Sequence, residues 1–172
     1  MTQAGPAAEP VPTRRLLLEP LAVRHAAQMM EVLAAPELYD FTGGRPPTLP
    51  ELTERYERLV AGPDRHGEGW LNWVIRQRED QQLAGTVQAT ITSEPAGLRA
   101  AIAWVVGARW QGRGYATESA QALIGWLREH EVTTIVAAIH PDHAASAAVA
   151  RRAGMIPTAE RADGEIIWRL AS

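Results

Sequence analysis

The sequence has no cysteine, no lysine and a single phenylalanine, Phe41. Without cysteine there is no disulfide, no thiolate nucleophile and no cysteine-ligated metal. Without lysine, all 17 basic residues other than histidine are arginine, which with the many alanines reads as a coding bias rather than a functional signal. An excess of one charge is also lacking. The net charge of −3 argues against a general nucleic-acid or membrane-surface binder. No apolar run reaches the roughly 18 residues of a membrane span, and the N-terminus lacks the apolar centre of a secretion signal, so a cytoplasmic location is expected. What is present is a 172-residue chain, 46% apolar, long enough for one domain with a real core.

Residues 1–12, rich in Ala, Pro and Gly, read as a flexible leader, and residues 13–172 as one domain. Arg15 to Glu19 is a short apolar strand. Leu21 to Ala35 has helical spacing and stops at Pro36. Thr48 and Glu51 are spaced as a capping box for a second helix, with Pro50 in its first turn, running to about Ala61. From Trp70 the period becomes two. Trp70–Gln77, Leu83–Thr92 and Leu98–Val106 read as an antiparallel meander. Ala116, Ala120, Leu123, Ile124 and Leu127 share one face of a third helix. The β-branched run Thr133–Ile139 after it completes a strand–helix–strand crossover, so it is expected to lie parallel to the strand ending at Val106. Asp142 is placed to cap an alanine-rich helix ending at Gly154, and an Asp163-Gly164 turn joins two closing strands. The fold class is α/β with a mixed sheet, in the order β-α-α-β-β-β-α-β-α-β-β.

The centre of the chain is Trp104 to Glu118. A strand, the turn Gln111-Gly-Arg-Gly-Tyr-Ala116 and a helix N-terminus succeed one another there. Glycine allows a tight turn and close approach of backbone to ligand. The first helical turn leaves N–H groups unpaired, and its dipole favours an anion, so the three together form a phosphate cradle. Glu118 does not suit the third small residue of a dinucleotide fingerprint, and the Walker pattern needs a lysine that this chain lacks. Gln/Arg-x-x-Gly-x-Gly/Ala does fit, at Gln111, Gly114 and Ala116.

That motif resembles the pyrophosphate-binding signature of the GNAT superfamily of acetyl-CoA-dependent N-acetyltransferases, and the order of elements over residues 13–170 resembles the GNAT fold. Arg15-Leu-Leu-Leu-Glu-Pro20, Trp110-Gln-Gly-Arg-Gly-Tyr-Ala-Thr-Glu118 and His140-Pro-Asp-His-Ala-Ala-Ser146 are similar to segments of the RimJ/RimL-type branch. The resemblance implies that the third and fourth core strands splay apart at the Val105–Gly107 end. The pantetheine arm would bind there along Trp104, Val105 and Val106. The pyrophosphate would lie on the N–H groups of Arg113, Gly114, Tyr115, Ala116 and Thr117, with Gln111 and Gly112 opening the loop. Acetyl-CoA is thus the implied co-substrate, no metal is expected, and a homodimer is compatible because dimers are common among similar enzymes.

Acetyl transfer needs a neutral amine, a donor for the developing oxyanion and a proton for the leaving thiolate. Without cysteine, direct attack in a ternary complex is the implied route. Ser146 stands where the branch has a serine near the thiol, and His143 where it usually has an asparagine touching pantetheine. The glutamate that related enzymes carry on the strand is missing, for Ala101-Ile102-Ala103-Trp104 occupies that segment. Removal of the proton by a water chain, by another acid or not at all stays open. Tyr39, Asp40 and Phe41, in the loop that lines the acceptor site of the family, with Trp73, are the candidate acceptor residues. Arg151 and Arg152 are candidates for the cofactor's 3′-phosphate. The implied function is transfer of an acetyl group to a primary amine of a protein N-terminus, metabolite or antibiotic. The alternative is an acyl-CoA-binding module that has lost catalysis.

Overall fold

In a computed structural model, which describes residues 4–171, one eight-stranded sheet carries four α-helices. The strands are β1 (Val11–Pro12), β2 (Leu16–Pro20), β3 (Glu68–Gln77), β4 (Leu83–Glu94), β5 (Gly97–Val106), β6 (Val132–Ile139), β7 (Met155–Ala162) and β8 (Glu165–Leu170). The helices are α1 (Ala26–Val32), α2 (Leu49–Ala61), α3 (Tyr115–Glu129) and α4 (Ala144–Arg152). Apart from the two-residue β1, the order is the one the sequence pattern predicts. The strands lie in the order β1-β2-β3-β4-β5-β6-β8-β7. Only β5 and β6 are parallel, as the α3 crossover requires.

Local chemistry explains the boundaries. The Thr48 hydroxyl accepts from Glu51 N–H and the Glu51 carboxylate from Thr48 N–H, the predicted capping box, which Arg45 reinforces with two bonds to Glu51. The first helix is shorter than its apolar spacing suggests, because Val23–His25 forms a 3-10 turn and α1 proper ends at Val32. The cap of α4 is His143 rather than Asp142: its Nδ1 accepts from Ser146 N–H at 3.4 Å. Asp163 and Gly164 both have positive φ, the geometry of a tight hairpin turn between β7 and β8.

Residues 4–12 are tied to the sheet, unlike the leader expected there. Trp73 Nε1 donates to the Glu9 carbonyl, His130 pairs with the Glu9 carboxylate, and β1 pairs with β2. On the face of the sheet that α3 covers, Trp73, Val87 and Trp104 stand opposite one another across β3, β4 and β5, and Trp73 packs edge-on against Trp126. Helices α1 and α2 pack against the other face.

The parallel ladder stops early. β5 pairs with β6 only from Leu98 to Ala101, after which Ile102–Val106 keep β4 alone and β6 continues with β8. A wedge-shaped gap opens between them. Gly85, opposite Val106 on β4, sets how β5 lies beside it, for a Cβ there would be 2.1 Å from the Val105 carbonyl oxygen. Because that atom is backbone, Gly85→Ala must push β5 aside. The substitution should cost about 2 kcal/mol or more by overpacking, seen as a melting temperature lowered by about 5 °C or more; an unchanged melting temperature would mean that β5 is free to move.

Candidate active site

The gap is closed at one end by the turn from β5 to α3. Gly107 N–H donates to the Ala84 carbonyl, and Gln111 Nε2 donates to the Val106 carbonyl at 3.0 Å, folding the turn back on the strand that it leaves. Gly107 admits no side chain, because a Cβ would be 2.8 Å from both the Val32 carbonyl oxygen and the Trp110 ring. Gly112 and Gly114 have φ of +80° and +79°, a left-handed conformation that other residues rarely adopt. Gly114 is the N-cap of α3 and offers no side chain to the helix; the first intrahelical bond is Glu118 N–H to the Gly114 carbonyl. Among the described residues, none of the N–H groups of residues 112–117 has an acceptor, so six donors stand at one helix start. Arg113 beside them is exposed and makes no ion pair among the described residues.

Glu118 does not compete for those donors. Its carboxylate accepts from the Thr13 hydroxyl at 2.6 Å, from Arg15 N–H at 3.0 Å and from Arg15 Nε at 2.7 Å. Burial works against its charge, but these bonds win and hold its carboxyl below the ordinary range. The same guanidinium lies over the Tyr115 ring and comes within 3.3 Å of where a Cβ on Gly114 would be. Arg15 is therefore a cradle residue that sequence reasoning missed, since nothing in an apolar strand signals its partner more than 100 residues away. Tyr115 itself is buried, with its hydroxyl donating to Gln77 Oε1.

On the far side of the gap β6 ends at Ile139 and α4 begins. Burial, with the neighbouring His140 adding to it, keeps His143 below the usual imidazole range, so near neutrality its ring accepts the Ser146 N–H as a cap. Phe41 stacks on the His143 ring at 4.4 Å and tilts against His140 at 5.1 Å. The loop carrying the candidate acceptor residues thus touches the helix carrying Ser146. Tyr39 donates its hydroxyl to the Leu33 carbonyl, and Asp40 is exposed. Beneath this loop lies a cavity of about 200 Å³, whose lining includes Tyr39, Thr42, Val105 and Trp73. The Trp73 ring is fully buried among core residues, and Val105 is 37% exposed. Tyr56, Thr86 and Gln88 also line it and were not foreseen; the one signal was polar residues alternating along β4. An open depression of about 300 Å³ between the end of α1 and Arg109–Trp110 lies outside the gap.

The model of the acetyltransferase (GNAT) domain matches residues 15–156. The chain belongs to the GNAT family. As a member it is an acetyl-CoA-dependent acetyltransferase. No curated protein matches at a significant level. Among solved structures it is similar to an acetyltransferase of Agrobacterium tumefaciens, 28% identical over 100% of this chain and 99% of that one, with a TM-score of 0.71. It shares its fold with RimL, a ribosomal L7/L12 α-N-protein acetyltransferase solved with coenzyme A, at 20% identity, a TM-score of 0.73 and coverage of 94% and 95%. The same holds for the microcin C7 self-immunity acetyltransferase MccE solved with acetyl-CoA and AMP, at 18% identity, a TM-score of 0.74 and coverage of 93% and 94%. Among the described residues no helix is long and apolar enough to cross a membrane, and no three side chains are grouped to hold a metal.

The anchoring of Glu118 has a measurable signature. Since its folded pKa is depressed, its contribution is complete above the ordinary carboxyl value of 4.5 and is lost as pH falls through the lower folded value. Glu118→Gln should lower stability by about 2 kcal/mol at neutral pH, or roughly 4–8 °C, and the difference from the parent protein should close as the pH is taken well below that of a free carboxyl.

Proposed function

We propose that this GNAT protein transfers the acetyl group of acetyl-CoA to a primary amine by direct attack in a ternary complex. The observation that carries this reading is the pairing of a wedge beside β5 with six acceptor-free N–H groups at the start of α3. Donors of this kind, with Gly112 and Gly114 leaving the backbone bare, suit a pyrophosphate. The unpartnered edge of Trp104, Val105 and Val106 suits an amide-bearing arm laid along it as an added strand. The complexes of RimL with coenzyme A and of MccE with acetyl-CoA support the same assignment. Arg113 supplies positive charge at the cradle, where Arg15 is paired with Glu118, and His143 and Ser146 stand at the other wall. Acetyl-CoA supplies an activated acetyl thioester. In the transfer a C–N bond forms, the C–S bond breaks, sulfur leaves with its electron pair, and one proton leaves the nitrogen. Ser146, half-buried in the first turn of α4, is the residue we assign to hydrogen-bond the sulfur.

No carboxylate stands on β5 where the resemblance expects one: Ala101 and Ala103 are exposed and carry no proton acceptor. We take the acceptor to bind as the free amine or to lose its proton to water, rather than to an acid elsewhere in the site. It follows that log(kcat/KM) should rise with a slope of about one per pH unit until the pKa of the amine itself; a plateau well below that pKa would reveal a base in the protein.

Thermal-shift titration tests the cofactor assignment. Acetyl-CoA and CoA at about 100 times their dissociation constants should stabilise by roughly 2.7 kcal/mol, a shift of several degrees, and NAD should not. Gly114→Glu should abolish the shift by crowding and repelling the pyrophosphate. Ser146→Ala should lower kcat more than it weakens CoA binding, and an unchanged rate would return Ser146 to a structural role. CoA binding without turnover across a broad amine panel would leave the non-catalytic acyl-CoA-binding reading in its place.

A further inference from the structure

The cavity beneath the α1–α2 loop has a one-sided lining. Leu33, Leu38 and Leu59 make it apolar, and no aspartate or glutamate lines it; Arg55 is its one charged residue. Arg55 makes no ion pair or hydrogen bond among the described residues, whereas Arg45 and Arg58 on either side of it are paired with Glu51 and Glu54. Arg55 is exposed and lines the same cavity as Tyr39 and Tyr56. Tyr56 is 3% exposed, and its hydroxyl has no hydrogen-bond partner, although buried hydroxyls as a rule have one. A solvent-facing guanidinium with no protein acceptor among the described residues thus stands at a leucine-lined cavity, with the buried Tyr56 side chain in its wall.

We infer that the acceptor bound here is a small primary amine that also carries a carboxylate and an apolar body, an apolar α-amino acid in its free form, with its carboxylate on Arg55. This deepens the reading of the protein as an amine acetyltransferase and rests on it. A polyamine or aminoglycoside would bring a second ammonium toward Arg55 with no carboxylate in the lining to receive it. The volume of about 200 Å³ is also below the usual range for drug-sized ligands. A protein N-terminus would present a neutral peptide carbonyl where the cavity offers a cation.

The test compares CoA release by the full chain with L-leucine or L-methionine, their amides and spermidine. The free acids should have kcat/KM about tenfold or more above their amides, although the amine of an amide is the more readily deprotonated, and spermidine should be the poorest. Arg55→Gln should bring the acid-to-amide ratio to about one while leaving CoA binding and the melting temperature unchanged. Preference for an amide or spermidine, or a ratio untouched by Arg55→Gln, would overturn the inference. If no amine turns over, calorimetric titration of CoA-saturated protein with L-leucine decides. Binding that Arg55→Gln removes upholds the cavity assignment and sinks only the transferase reading, whereas no binding sinks the cavity assignment.

Discussion

Everything in this structure that bears on function depends on β5 and β6 parting after Ala101 and Val136. A parallel pair in the middle of a sheet normally hydrogen-bonds along its length, and an unpaired backbone edge is costly unless something else satisfies it. Here β5 is held by β4 alone over its last five residues, and the turn that follows folds back so that Gln111 bonds the Val106 carbonyl. The missing ladder makes room for a ligand with peptide-like groups of its own. Two glycines keep the strand in place from either side. Gly85 accommodates the Val105 carbonyl, and Gly107 lets the chain pass beneath Trp110 and against α1.

The wedge also separates two chemistries. Residues opposite each other on neighbouring strands share a face, so Trp73, Val87 and Trp104 join the core under α3, while Thr86 and Val105 look toward the cavity beneath the α1–α2 loop. The anion cradle at the start of α3 and the acceptor cavity meet only at the wedge, and the Phe41–His143 stack ties the acceptor loop to the far wall. A donor and an acceptor entering by different routes would meet where neither strand is paired.

Much of this was legible in the sequence because it is written in local terms. The capping box at Thr48 and Glu51, the period change at Trp70, the Asp163-Gly164 turn and the glycines of the Gln111–Ala116 loop each depend on a few adjacent residues. What was not legible depends on distance along the chain. The Ala-Pro-rich N-terminal segment reads as loose, yet Glu9 meets Trp73 and His130. His143 displaces Asp142 as the α4 cap because the turn at His140 orients it. Tyr56 reads as one more apolar position on α2; that it lines a cavity, with its hydroxyl buried and unpartnered, follows only from how α2 lies on the sheet. Trp73 reads as a candidate acceptor residue; it borders the cavity, but its ring packs against Trp126 in the core.

Arg15 and Glu118 carry a kinetic consequence. The first turn of α3 contains its own anion, and Arg15 neutralises it before any ligand arrives. Seen from more than a Debye length away, the cradle then carries little charge beyond that of Arg113, which has no ion pair among the described residues, on a protein of net charge −3. A polyanion gains little long-range attraction on approach, and its grip comes from short hydrogen bonds made after contact. The on-rate should thus be modest and nearly indifferent to salt, with discrimination among anionic ligands residing in how slowly the right one leaves.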